Sequence, residues 1–154
     1  MERNMNMLLY KDGCFYGRYI SFVLPDGLYL DTNPPIAYDY GISAWDEKEN
    51  IRFDICEDES SKTGDIKKDM QQHLFEDGDS FEADSPITEI ELNGLTGYEV
   101  FYHENKHDLY EAWFKLPEGQ TCVFFAQCPR GKAANVKELP VVRNFLENIY
   151  KEYS

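Results

Sequence analysis

Between Gly97 and Cys128 the chain alternates apolar and polar side chains with a period of two. It does so through three successive runs: Gly-Tyr-Glu-Val-Phe-Tyr, Leu-Tyr-Glu-Ala-Trp-Phe-Lys-Leu and Thr-Cys-Val-Phe-Phe-Ala-Gln-Cys. A polar patch separates the first two runs, and Pro117-Glu-Gly-Gln separates the last two. Successive side chains of a strand point to opposite faces of its sheet, so this pattern predicts a half-buried antiparallel meander. Such a pattern specifies a scaffold and leaves the chemistry almost unconstrained.

With 154 residues the chain is expected to form a single domain spanning 1–154. Its apolar fraction of 42% and aromatic fraction of 15% set it apart from disordered chains, which are poor in both. Charge is unevenly placed. Residues 46–91 hold 16 acidic and five basic side chains, about -11 of the net -14. An acidic domain repels phosphates, so neither nucleic acid nor an anionic membrane surface is an expected partner, whereas a basic protein or a cation is attracted. Solubility alone also accounts for such a charge. The opening residues have an apolar run too short for a signal peptide, and no segment approaches the roughly 20 apolar residues of a spanning helix. Cys14, Cys56, Cys122 and Cys128 form no C-x-x-C pair, and a reduced, cytoplasmic setting is expected.

Other elements follow from local signals. Cys14–Leu24 is rich in aromatic and β-branched residues and reads as a strand, Pro25-Asp-Gly27 as a turn and Leu28-Tyr-Leu30 as a short strand. Asn33-Pro-Pro35 breaks regular structure. Ile42–Trp45 and Ile51–Cys56 flank the charged Asp46–Asn50 as a hairpin, with Ile51, Phe53 and Ile55 facing inward. Ser60 or Ser61 is placed to cap a helix whose stripe is Ile66, Met70 and Leu74, ending before Asp77-Gly78. Ser80–Pro86 reads as a polar loop, Ile87–Leu92 as a strand and Asn93-Gly94 as a turn. Pro140 suits the first position of a closing helix, with Val142, Phe145, Leu146, Ile149, Tyr150 and Tyr153 on one face. The order predicts an α+β fold: a twisted antiparallel sheet of about six to eight strands, flanked by helices near 61–75 and 140–152.

The opening phrase Tyr19-Ile-Ser-Phe-Val-Leu-Pro-Asp-Gly27, the charged hairpin, the mid-chain helix, the strands around Leu95-Thr-Gly-Tyr98, the meander and the closing helix together resemble the PsbP/Mog-like family. The resemblance covers most of the chain. It implies an α/β sandwich and a largely non-catalytic role, since members include photosystem extrinsic subunits, a Ran-binding protein and secretion-system adaptor chaperones. It assigns no binding residue to a position here, and without a lipobox or transit segment a photosynthetic role is not expected.

One formal motif stands out. His103-Glu-Asn-Lys-His107 spells H-E-x-x-H, which in zinc proteases works on a helix that places both histidines on one face and Glu104 as general base. Here 103–108 are all polar, and Tyr110 and Trp113 stand where the longer pattern needs Gly and His, so a hairpin bend is expected instead. The stretch Asp77-Gly-Asp79-Ser-Phe81 begins like a calcium loop, but Phe81 and Thr88 occupy ligand positions. Cys122 and Cys128 share a strand face about 20 Å apart, too far for one metal or one disulfide, and no neighbouring histidine activates either. No phosphate loop, nucleophile elbow or dinucleotide fingerprint is present, and no cofactor is expected.

These features predict a non-enzymatic protein-binding or adaptor domain. Its expected contact residues are the strand aromatics Trp45, Tyr110 and Trp113 and the acidic Asp77 and Asp79. A toxin-neutralising immunity protein is the alternative within that class, and a metal-dependent hydrolase built on His103, Glu104 and His107 is the alternative outside it.

Overall fold

The computed structural model describes residues 9–11, 14–24, 28–31, 40–58, 62–76, 81–132 and 135–153. In chain order the elements are β1 (Leu9–Lys11), β2 (Cys14–Tyr16), β3 (Ile20–Phe22), β4 (Tyr29–Asp31), β5 (Tyr40–Asp46), β6 (Ile51–Asp58), α1 (Ile66–Gln71), β7 (Glu82–Ala83), β8 (Thr88–Leu92), β9 (Leu95–His103), β10 (His107–Lys115), β11 (Thr121–Pro129), α2 (Pro140–Glu147) and β12 (Ile149–Lys151). The architecture is α+β, with antiparallel pairing throughout. An eight-stranded sheet runs β4-β5-β6-β11-β10-β9-β7, with β8 also on the outside of β9, and a four-stranded sheet runs β1-β2-β3-β12.

The meander forms as the alternation requires. Glu111 lies opposite Val100 on one side and Phe125 on the other, and Ala112 lies between Glu99 and Phe124. Pairing therefore sorts the side chains onto two faces. The inner face carries Phe53, Ile55, Tyr110, Ala112, Phe114 and Phe124 into the main core, which α2 and the four-stranded sheet cover. Phe145 of α2 is the meeting point: its ring lies 5.4 Å from Phe22, 4.8 Å from Phe53 and 5.5 Å from Phe124. The outer face holds a second cluster in which Ile66, Met70 and Leu74 pack on Val100, Tyr102 and Leu109.

A buried carboxylate ties the two sheets together. Glu57, on β6, accepts backbone N–H bonds from Arg18 (2.9 Å), Tyr19 (2.9 Å) and Ile20 (3.0 Å) in the turn between β2 and β3. Burial raises its carboxyl above the ordinary range, and the three N–H groups oppose that rise.

Several expectations are corrected. Cys14–Leu24 is a hairpin of two short strands, because the chain turns at Gly17 and closes with a Gly17 N–H to Ile20 carbonyl bond of 2.9 Å. The middle helix is capped by Asp65, whose side chain accepts from the Lys68 N–H, and it continues as a π-turn over Gln72–Glu76. The Ser80–Pro86 loop contains the short strand β7, paired with β9. The closing helix stops at Glu147. Ile149–Lys151 instead pairs with β3, because the four-stranded sheet offers its edge there. The expected turn at Pro25-Asp-Gly27, the break at Asn33-Pro-Pro35, and Ser60, Ser61, Asp77, Gly78 and Asp79 lie outside the described residues.

Candidate functional site

The outer face of the large sheet is the surface where chemistry and exposure meet. Helix α1 and the π-turn behind it lie over β9 and β10. One row of the face runs Trp45, Arg52, Gln127, Leu109 across four paired strands, and the next runs Ser43, Asp54, Phe125, Glu111, so each passes from the β5 end to residues in or against the cluster that the helix covers. Trp45 is 39% exposed, and Phe125 and Val123 are half-buried. Arg52 donates to the Ser43 hydroxyl (2.9 Å) and pairs with Asp54 (3.5 Å), so the polar groups around the tryptophan are mutually satisfied.

The central strand carries an acid that its own pattern flags. From Leu109 to Phe114 both faces are apolar except at Glu111. Its carboxylate accepts the Tyr102 hydroxyl proton in a short hydrogen bond and the Trp113 indole N–H at 2.9 Å. Burial pushes Glu111 above the ordinary carboxylate range, opposed by those two donors and by His73, with Asp54 adding to the rise. His73 belongs to the π-turn and its ring sits 5.8 Å from that of Trp113. The cluster has donors matched to acceptors, and among the described residues no buried side-chain polar atom lacks a partner.

The histidine motif forms the bend between β9 and β10. His103 closes one strand and His107 opens the next, so the helical geometry of a zinc protease does not arise. His103 bridges Asp84 (2.7 Å) and Glu82 (3.1 Å), which fixes β7 to β9. His107 bonds Glu104, and that hydrogen bond holds the Glu104 carboxyl below its ordinary range. Among the described residues no group of His, Cys, Asp and Glu is arranged to hold a metal ion.

Of the expected contact residues, Trp45 is exposed and Trp113 is half-buried beneath His73. Tyr110 is corrected: it is fully buried on the inner face, where its hydroxyl donates to Glu99 at 2.5 Å, and it presents no surface. Asp77 and Asp79 lie outside the described residues. None of the four cysteines is in a disulfide; Cys56, Cys122 and Cys128 are buried, and burial pushes the Cys122 thiol far up, away from nucleophilic thiolate character. The described residues also line recesses. One, of about 370 Å³, is lined by Asp84, Ser85, Asp108 and Arg130, the last two paired at 2.6 Å. Another, of about 750 Å³, lies between the start of α1 and the β8–β9 hairpin and is lined by Asp65, Glu89, Glu91, Thr96, Tyr98 and Lys115. Sequence reading missed Glu111 and the β8 glutamates; their signals were a lone acid between two apolar faces and the alternation of Thr88–Leu92.

No family model matches the chain, and no curated protein matches it. Among solved structures it is similar to LpqN of Mycobacterium tuberculosis, described as involved in cell envelope biogenesis, with a TM-score of 0.55 and 13% identity over 86% of this chain and 82% of that one. It is also similar to a protein of Bacteroides thetaiotaomicron, with a TM-score of 0.51 and 8% identity over 88% of this chain; the match spans 46% of that protein. These likenesses show a shared fold. No helix among the described residues is long and apolar enough to cross a membrane.

Proposed function

We propose that this chain is a non-enzymatic binding or adaptor domain that docks a protein partner on the outer sheet face around Trp45. The carrying observation is Trp45 itself, a large aromatic 39% exposed on β5, with Arg52 opposite it and Ser43 and Asp54 of the next row bonded to that arginine as a satisfied polar rim. Aromatic anchors ringed by polar groups are what interface centres are made of. The acidic stretch 46–91, which includes Asp77 and Asp79, favours a basic partner; an immunity protein facing a basic toxin is one form of that. The resemblance of the sequence to the PsbP/Mog-like group, whose members are largely non-catalytic, supports this reading. Four cysteines outside any disulfide fit a cytoplasmic setting.

The test is affinity capture by immobilised wild type and Trp45→Ala at low salt and at about 0.5 M salt. The reading expects a discrete protein retained by wild type and weakened about thirtyfold by Trp45→Ala, the scale of a hot-spot truncation of about 2 kcal/mol. Equal capture by both forms would remove Trp45 as the anchor.

A further inference from the structure

We propose that the outer edge of β8 is a strand-addition site for a basic, extended segment of a protein partner carrying lysine or arginine at alternate positions. This surface goes beyond the Trp45 face, from which it lies about 24 Å across the sheet at the usual strand spacing, and does not depend on it.

The backbone geometry comes from the turn. Asn93 (φ 50°) and Gly94 (φ 87°) form a two-residue hairpin connection, so Leu92 and Leu95 are the hydrogen-bonded pair that closes it. Bonded and non-bonded pairs alternate along an antiparallel ladder, so Ile90 and Thr88 also face β9. The N–H and C=O groups of Glu89 and Glu91 therefore point away from β9, in the plane of the sheet. Among the described residues no backbone group takes them up. The hairpin is held firmly: the Asn93 side-chain amide donates to the carbonyls of Glu147 (3.1 Å) and Ile149 (2.7 Å).

The side chains then set what can be added. Glu89 pairs with Tyr98 and Glu91 with Thr96, so both carboxylates stand on the outer face beside the recess of about 750 Å³. Asp65 adds a third negative charge to its lining, against Lys115 alone. Glu91 uses one oxygen to accept the Gly94 N–H at 2.9 Å, leaving the other for a partner. On the opposite face Ile90 and Leu92 are half-buried against the main core and present apolar rims. An incoming antiparallel strand that bonds Glu89 and Glu91 places its own residues directly opposite them, with side chains on the same face. Cationic side chains there meet the glutamates and extend over Tyr98, and the residue between them meets Ile90. The pattern selected is basic-apolar-basic. The same glutamates oppose pairing with a second copy of this edge, since like charges would then stand opposite each other. Main-chain bonds supply grip and alternate side chains supply specificity, as in other cases of strand addition.

The experiment measures fluorescence anisotropy of a labelled Lys-Val-Lys-Val-Lys peptide, terminally blocked, with the full chain at moderate salt. We expect saturable binding, weakened at least tenfold by Glu89→Gln with Glu91→Gln and abolished by Glu89→Lys with Glu91→Lys. The same peptide N-methylated on its lysine amides keeps its charge but loses the main-chain donors, and it should bind at least tenfold more weakly. Trp45→Ala should bind as wild type does, so failure here is separate from failure of the Trp45 docking face. Circular dichroism of each variant confirms folding; these glutamates are exposed at a sheet edge. Absence of peptide binding overturns the proposal. So does equal binding of the N-methylated peptide, or equal weakening by the control pair Glu47→Gln with Glu49→Gln.

Discussion

At the residue scale, Glu111 is a costly side chain to bury. A carboxylate on the central strand, fully enclosed, is tolerated because Tyr102 and Trp113 donate to it. Its pKa is raised in the fold above the ordinary value of 4.5, so the folded state holds its proton more tightly than the unfolded chain does. The sign follows: Glu111 favours folding most below 4.5, and that contribution falls as pH rises through its raised folded value, by about 1.4 kcal/mol for each pH unit crossed before it ionises in the fold. Glu111→Gln does not titrate, so its unfolding free energy should fall less than that of wild type between pH 4.5 and pH 8. Urea unfolding across that range checks this, and parallel curves for the two proteins would contradict it. The glutamine offers one acceptor to two buried donors, so the comparison concerns the slope rather than the absolute stability.

At the element scale, the β8–β9 hairpin shows how tightly local geometry is tied to neighbours. Gly97 sits where a Cβ would stand 1.9 Å from the Trp113 carbonyl oxygen and 2.8 Å from the Phe114 Cα. Both are backbone atoms of β10, which cannot swing aside as the end of a side chain would. Gly97→Ala should therefore separate β9 from β10 locally and destabilise the protein by about 3 kcal/mol, the upper range for overpacking. Thermal unfolding checks this. Gly131→Ala is no matched control despite the open space around it, since its φ of 80° strains any side chain. The turn at Asn93-Gly94 and the strands on either side were legible in the sequence, because turn chemistry and alternation are local. The proximity that forbids a side chain at Gly97 was not, because it depends on which strand lies alongside and how close it comes.

At the scale of the whole molecule, two layers and a helix meet at one ring. Phe145 touches Phe22 of the small sheet and Phe53 and Phe124 of the large one, so Phe145→Ala should cost about 3–5 kcal/mol and lower the stability of both sheets together. Denaturation followed by far-ultraviolet dichroism and by tryptophan fluorescence should give coincident transitions shifted by the same amount; separated transitions would show that the sheets do not share this core. Local signals along the chain suffice for the α+β class, the meander from β9 to β11, the hairpin that joins β5 and β6, the bend at His103–His107 and the proline start of α2. Each of these is written in periodicity and turn residues a few positions apart, where the pleat and the backbone dihedrals act directly. Packing between layers is what turns Tyr110 inward and Trp45 out, because both sit on alternating strands and the covering layer chooses the face. It also decided that Ile149–Lys151 leaves the helix for a strand and that Glu57 binds the turn at Arg18–Ile20. In both cases the partner lies more than 30 residues away along the chain, and free energy gained by filling a distant edge or nest leaves no local mark on the residues that fill it.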